Sequence, residues 1–410
     1  MAKRIWALLT VALLAELAGC THKKPPQVDF NRELPPGQVA LRKISPGEYP
    51  DFSKCTWNLA LLPRAIENSI AYLNHPSSQR SFPYLDISHE RALATLTAFK
   101  EVIDTASREA NPGQYIDQRI RAQFDVYKSI GAPKPDGAGF TDRVLFTGYC
   151  TPIYEASSSR HGAFQWPLYK RPKDLAADPV TGESVGRKLP DGSIVPYYTR
   201  AEIERDRKLA GLEYVFLKSR FEAYVVTVQG SARLRMDDGR TLEIGYAGHN
   251  GHEYESPGMA MVRDGVIAKE DLNLKTLSAY FAAHPEAAGK YLWLNNRTVF
   301  FTERPGGPFG ALNVPVTTSA TIATDKTLDK TVNMTVYPRA MPAFLSVDIP
   351  RTDNPTQQWH FTGFMMDQDT GGAIRASGRC DIYMGIGPSA EQSAGHQLSE
   401  GELYYIAVKQ

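Results

Sequence analysis

Apolar residues recur at three- and four-residue spacing in the first third of the chain. Leu93, Leu96, Phe99, Val102 and Ile103 follow Ser88 in this pattern. The stripe predicts a helix with the serine as its N-cap, because a serine oxygen can accept from a first-turn N–H that has no partner within the helix. A second helix is expected over Leu61 to Leu73. Pro63 is tolerated there because it falls in the first turn, where its missing N–H was unpaired anyway. From about Val144 the period shortens to two. Leu234 and Met236 alternate with arginines, Leu242 and Ile244 with polar residues, and Asp238-Gly239 lies between the two runs. That is the pattern of a β-hairpin with one buried face. Val225 and Thr227 read as the lead-in to its first strand, and Asp191-Gly192 as a turn before Ile194-Val195. One further helix is expected near Leu272 to Ala283, with Leu274, Leu277, Tyr280 and Phe281 on one side. Short strands punctuated by glycine and proline then run to the end. The chain therefore reads as mainly β (α+β), with helices in its N-terminal part and no internal repeat.

The N-terminus has a different character. Lys3 and Arg4 precede an apolar run from Ile5 to Leu14, and Leu17-Ala18-Gly19-Cys20 follows. A charged start, a short apolar core and a small-residue cleavage site describe a secretory signal peptide over residues 1–19. The run falls short of the roughly 20 apolar residues a membrane-spanning helix needs. Leu-Ala-Gly-Cys resembles the bacterial lipobox. That resemblance implies a lipid on Cys20 and, with Thr21 rather than aspartate after it, a place on the periplasmic side of the outer membrane. Residues 20–37 are polar and carry Pro25-Pro26 and Pro35-Pro36, a semi-extended tether in which proline restricts the backbone. Lys plus Arg number 46 against 45 Asp plus Glu, a net charge of +1. That balance gives no footprint for a nucleic acid or for a polybasic membrane patch. With Cys20 lipidated, Cys55, Cys150 and Cys380 remain. In an oxidising compartment one disulfide and one free thiol are compatible with that odd number, and the sequence does not choose the pair.

Candidate chemistry gathers near the C-terminus. Asp369-Thr370-Gly371-Gly372-Ala373-Ile374 is followed by Asp381-Ile382-Tyr383-Met384-Gly385 and by Gly387-Pro388. Alone, this reads as a glycine-kinked strand entering a hairpin, its carboxylates satisfied by backbone amides. In company it reads differently. The segment resembles the 3D domain of the membrane-bound lytic murein transglycosylase A family, with Asp348 where the first of that domain's three aspartates falls. Thr147-Gly148-Tyr149-Cys150-Thr151-Pro152 is similar to the family's Thr-Gly-Tyr-Tyr-Thr-Pro signature, Cys150 replacing the second tyrosine. Phe164 to Tyr169, Pro196 to Arg200, Gln229 to Arg233 (with Ala232 for the usual glycine), Tyr246 to His252 and Pro308 to Leu312 extend the resemblance in the same order. It covers the chain from about Val144 onward. It implies a double-psi β-barrel with a smaller β domain inserted over about residues 149–248, leaving a groove between the two. The barrel would then be built from residues 38–148 and 249–410, with the 3D part over about 340–410.

The resemblance also implies an activity. Cleaving a β-1,4 glycosidic bond requires protonation of the leaving oxygen and stabilisation of an oxocarbenium-like centre. A lytic transglycosylase cuts between N-acetylmuramic acid and N-acetylglucosamine and lets the muramic acid's own 6-hydroxyl attack, leaving a 1,6-anhydro end. That nucleophile is already tethered to the reacting sugar and needs only orientation. One carboxyl group can serve first as acid and then as base, so no cofactor and no metal are called for. The family's catalytic aspartate falls on Asp381. Asp369 is the runner-up, with an orienting role, and Asp348 is a supporting candidate. Thr147, Gly148, Tyr149, Gln165, Gln229, Ser231, Gly371, Gly372 and Tyr383 are expected to line the groove for a peptidoglycan strand, with Trp166 able to stack on a sugar; each aromatic reads equally well as core packing. His249 and His252 lack the third ligand a metal site requires. Two competing readings are a non-catalytic peptidoglycan-binding lipoprotein and a hydrolase that leaves a reducing muramic acid.

Overall fold

The computed structural model describes residues 27–178 and 184–410. The signal peptide and Cys20 lie outside the described residues. Strand β1 (Leu41–Lys43) precedes three helices, α1 (Leu62–Leu73), α2 (His89–Ala106) and α3 (Pro112–Gln123), and then β2 (Phe124–Ser129). Ser88 caps α2, its hydroxyl accepting from the Arg91 N–H at 3.1 Å. The stripe Leu96, Phe99, Val102 and Ile103 is buried. Pro63 sits in the first turn of α1.

The chain then runs through β3 (Val144–Thr151), β4 (Ile153–Ser157), β5 (Trp166–Tyr169), β6 (Leu175–Ala177), β7 (Ser184–Lys188), β8 (Ile194–Val195), α4 (Arg200–Glu204) and β9 (Glu213–Leu217). Next come α5 (Arg220–Gln229), β10 (Ser231–Met236), β11 (Thr241–His249), α6 (Pro257–Arg263), α7 (Leu274–Ala283), α8 (Ala287–Tyr291) and β12 (Val299–Glu303). The last part holds β13 (Thr321–Thr324), β14 (Leu328–Asp329), β15 (Met334–Thr335), β16 (Pro342–Pro350), β17 (Gln358–Asp369), β18 (Arg379–Ile386), α9 (Pro388–His396) and β19 (Leu398–Val408).

The main sheet has the order β1-β2-β19-β16-β17-β13-β18-β3, and β3 pairs back onto β19. That last pairing closes six of the strands into a barrel and leaves β1 and β2 as an extension. Two of its pairings are parallel, β13 with β17 and β18 with β3. Phe146, Ile322, Phe344, Met365, Cys380, Ile382 and Tyr405 fill one core, which α1, α2 and α3 cover from outside. Phe99 of α2 meets Phe364 of β17 with ring centroids 4.8 Å apart. This is the double-psi barrel with a smaller inserted β domain and helices in its N-terminal part.

The chain leaves the barrel at Thr151 and returns at Thr321. In between, a second sheet has the order β12-β11-β10-β4-β9-β5. The stretch expected to form the insert supplies five of these strands, and β12 adds the sixth. The hairpin read at Leu234 to Ile244 is β10–β11, with Arg235 opposite Thr241.

Val225 and Thr227 do not lead into a strand; they lie in α5. Ser219 opens that helix by accepting from the N–H groups of Phe221 and Glu222 at 3.2 and 3.4 Å. Gly230 closes it in the left-handed region at φ 76°. The β-branched residues cost the helix only tenths of a kcal/mol each, less than burying Phe221, Tyr224 and Val225 against Met261, Phe281 and Tyr291 returns. Three later helices, α6, α8 and α9, were likewise not anticipated. Cys55, Cys150 and Cys380 are all free and buried, so no pair among them is bridged. No helix among the described residues is long and apolar enough to cross a membrane. The C-terminal part of the expected tether, from Gln27 on, is laid against the protein body: Gly37 N–H donates to Asp329 at 2.7 Å and Arg32 to the Lys134 carbonyl at 3.4 Å.

Candidate active-site groove

The parallel pair β3–β18 sets Thr147 opposite Asp381, Gly148 opposite Ile382 and Tyr149 opposite Tyr383. Successive side chains of a strand point to opposite faces. Cys380 and Ile382 enter the barrel core, so Asp381 and Tyr383 share the other face with Thr147 and Tyr149. The Thr147 hydroxyl and Asp381 Oδ1 are hydrogen-bonded. Arg379, two residues earlier on the same face, donates from Nη2 to Thr147 Oγ1 at 2.9 Å and lies 3.5 Å from Asp381 Oδ1. The side chains of Arg379 and Asp381 are each 14% exposed. Asp381 Oδ2 has no hydrogen-bond partner among the described residues.

Asp369 ends β17 with both carboxyl oxygens occupied. Oδ1 accepts from the N–H groups of Ala311 and Thr370, each at 2.8 Å, and Oδ2 from the Tyr149 hydroxyl at 2.9 Å. Burial outweighs these three donors and pushes the carboxyl up to about 6. A carboxyl raised in this way favours the folded state while it is neutral. The contribution is complete below the unfolded value of about 4 and is lost as pH rises through 6. Asp369→Asn should therefore gain on the wild type by about 2–3 kcal/mol between pH 4 and pH 7. Urea midpoints of both proteins at the two pH values check this, and a pH-independent difference would contradict it.

The Tyr149 and Tyr383 rings lie 5.1 Å apart. Tyr383 and Thr151 hydroxyls are 3.0 Å apart, and Thr151 and Ser231 hydroxyls 3.1 Å, which carries the polar face from the barrel onto β10 of the insert. Gln229 accepts from the Cys150 N–H at 3.0 Å. The Gly371-Gly372 turn passes beneath an arginine: a Cβ on Gly372 would lie 2.6 Å from Arg297 Nε, and Arg297 donates to the His252 carbonyl at 3.2 Å. Thus Thr147, Tyr149, Gln229, Ser231, Gly371, Gly372, Asp369 and Asp381 gather where barrel and insert meet, whereas Tyr383 is wholly buried and packs as a core side chain instead of lining the groove.

Other expected residues lie elsewhere. Gly148 faces α9, where a Cβ would stand 2.8 Å from Ala394 Cα, and with Gln229 it lines a cavity of about 240 Å³. Gly148→Val should cost about 1–3 kcal/mol by forcing α9 away, read as a lowered melting temperature; an unchanged one would contradict that packing. Gln165 donates to the Gly162 carbonyl at 2.9 Å, beside Trp166, which pairs with Leu217 at the end of the insert sheet where β4 finishes. Asp348 Oδ1 pairs with His360 Nδ1 at 2.8 Å on the barrel surface, the two side chains 55% and 60% exposed. His249 Nδ1 accepts from the Gly251 N–H at 2.8 Å, and His252 Nε2 lies 2.8 Å from the Tyr197 carbonyl. Among the described residues no three or more His, Cys, Asp or Glu side chains are placed to hold a metal ion. Sequence reasoning missed Arg379 and Ala311. The two-residue spacing of Arg379 from Asp381 on one strand was the available signal for the first.

Residues 145–302 match the MltA specific insert domain and residues 320–407 the 3D domain. A closed barrel of the 3D type, interrupted by this insert, is the architecture of one class of lytic transglycosylases. The membrane-bound lytic murein transglycosylase A of Escherichia coli K12 is 30% identical over 298 residues, 71% of this chain and 72% of that one. The Vibrio cholerae protein of the same name is 28% identical over 296 residues, 72% of each chain. The chain belongs to the membrane-bound lytic murein transglycosylase A family. Among solved structures, a membrane-bound lytic murein transglycosylase from Agrobacterium tumefaciens shares the fold at a TM-score of 0.69 and 22% identity, covering 90% of this chain and 98% of that one. Escherichia coli MltA with bound chitohexaose does so at 0.66 and 23%, covering 95% and 98%.

Proposed function

We propose that the protein is a peptidoglycan lytic transglycosylase that cleaves the β-1,4 bond between N-acetylmuramic acid and N-acetylglucosamine, with Asp381 as acid and then base. The observation that carries this reading is the asymmetry of the Asp381 carboxyl, whose Oδ1 is held by Thr147 while Oδ2 is left without a partner among the described residues. The protonated Oδ2 delivers its hydrogen to the glycosidic oxygen as the bond from that oxygen to muramic C1 breaks. The carboxylate then removes the hydrogen of the 6-hydroxyl as O6 bonds to C1, which closes the 1,6-anhydro ring and returns Asp381 to its starting form. Asp369 suits a positioning part better, because both of its oxygens already accept hydrogen bonds. Tyr149, Ser231 and Gln229 supply hydroxyl and amide groups for N-acetylated sugars, in keeping with the chitohexaose bound by the Escherichia coli relative.

The relatives' membrane-bound nature supports a membrane-associated protein, with a lipid on Cys20 as the anchor and the periplasmic side of the outer membrane as its place. The inserted domain extends to Glu303, because β12 completes its sheet. Digestion of purified sacculi with mass analysis of the soluble products tests the activity. The expected result is muropeptides ending in 1,6-anhydro muramic acid. Reducing ends would make the protein a hydrolase, and no release a binder.

A further inference from the structure

We propose that Arg379 is a positioning residue that fixes which oxygen of Asp381 carries the catalytic proton, and that Asn31 of the N-terminal arm holds Arg379 in place. The inference rests on the reading of Asp381 as the proton carrier.

A threonine hydroxyl has one hydrogen and two acceptor sites, while a guanidinium has only donors. Arg379 Nη2 lies 2.9 Å from Thr147 Oγ1, so it takes an acceptor site there. The single Thr147 hydrogen is then directed at its other neighbour, Asp381 Oδ1. The same Nη2 also stands 3.5 Å from that oxygen. Oδ1 is thereby committed to accepting, and a proton on this carboxyl resides on Oδ2, the oxygen with no partner among the described residues. Without the arginine the Thr147 hydroxyl is free to turn and accept, and the proton can settle on Oδ1, where it cannot reach a substrate.

The guanidinium is itself held from an unexpected direction. Nη1 donates to Asn31 Oδ1 at 3.0 Å, across 348 residues of sequence. Asn31 belongs to the arm that leads from the N-terminus to β1. The arm runs close over the start of β18: a Cβ on Gly378 would stand 2.6 Å from the Phe30 carbonyl oxygen, so only glycine admits it there. Further along, Gln27 Oε1 accepts from Lys269 Nζ at 3.3 Å. The segment read from sequence as a passive tether thus contributes a side chain one contact away from the catalytic pair.

The test is steady-state kinetics on glycan strands released from sacculi, using the full chain and the variants Arg379→Met, Thr147→Val, their double variant, Asn31→Ala and Asp381→Asn. Orienting groups of this kind typically contribute about 10–100-fold. Arg379→Met and Thr147→Val should each lower kcat by about that factor and leave KM within about two-fold. The double variant should lose no more than either single change, because both break one relay. Asn31→Ala, at an exposed position, should lower kcat a few-fold without moving the melting temperature. Arg379→Met with normal kcat, a change confined to KM, or losses that add in the double variant would each overturn the relay. A normal kcat in Asn31→Ala would overturn the part assigned to the arm. If Arg379→Met does not fold, Thr147→Val and Asn31→Ala carry the same decision. Asp381→Asn separates the two levels: full activity there removes the reading of Asp381 itself, whereas an inactive Asp381→Asn beside an active Arg379→Met removes only the relay.

Discussion

Asp381→Asn is expected to lower the release of anhydro muropeptides by about 10²–10⁴-fold, the range general acid–base catalysis contributes, with little change in melting temperature. Asparagine keeps the shape of the side chain, and its carbonyl oxygen can still accept from the Thr147 hydroxyl that Asp381 Oδ1 engages. What it lacks is a transferable proton at the position of Oδ2. Sedimentation with intact sacculi should show binding close to wild type, because the groove residues Tyr149, Gln229 and Ser231 are untouched. Asp369→Asn should be milder in rate, since the backbone donors from Ala311 and Thr370 and the Tyr149 hydroxyl can be met by an amide. If folded Asp381→Asn keeps its rate while folded Asp369→Asn is inactive, the roles of the two aspartates are reversed.

Lys326→Ala should destabilise the barrel by about 3–5 kcal/mol, the cost of leaving a buried charge without its partner. Lys326 Nζ lies 2.5 Å from Asp367 Oδ2, with both side chains almost wholly enclosed. The same carboxyl oxygen accepts from Thr324 at 2.8 Å and from the Tyr405 hydroxyl at 2.6 Å, while Oδ1 has no partner among the described residues. Burial pulls the Lys326 amine down and the nearby Asp367 carboxylate opposes that pull. Removing the amine strands the carboxylate among apolar strands β13, β17 and β19. For a domain of this size the loss corresponds to a fall of about 6–20 °C in Tm. Exchanging both partners for apolar residues of similar volume should recover much of it, because an ion pair of this kind repays little more than its own desolvation. A Lys326→Ala protein melting within a degree or two of wild type would contradict the burial described.

The legible parts of this chain are those that depend on near neighbours. The stripe Leu96, Phe99, Val102 and Ile103 with its Ser88 cap is a local signal, and α2 follows it. The Asp238-Gly239 turn places β10 against β11 for the same reason. Resemblance to the family brought Thr147, Tyr149, Asp369, Asp381 and Tyr383 onto one list, and the β3–β18 register shows how they meet. Helix α5 was hidden because Val225 to Val228 read as strand, while the deciding terms were the Ser219 cap, the left-handed Gly230 and burial against residues 36 or more positions away. Gly148 and Gln165 sit inside family motifs, yet one faces α9 and the other lies at the remote end of the insert. Motif membership says nothing of which way a residue faces. The Asp369–Ala311 and Arg379–Asn31 contacts span 58 and 348 residues, and no spacing rule reaches across such distances.

In the proposed reaction the 6-hydroxyl of the substrate, and not water, attacks C1 while Asp381 moves the proton. Digestion of sacculi in heavy-oxygen water, followed by mass analysis of the newly formed muramic acid ends, tests it most directly. The expected ends are lighter than a hydrolysis product by one water and carry no heavy oxygen; the wild type forms them and Asp381→Asn does not. Ends that are reducing and carry one heavy oxygen would contradict it.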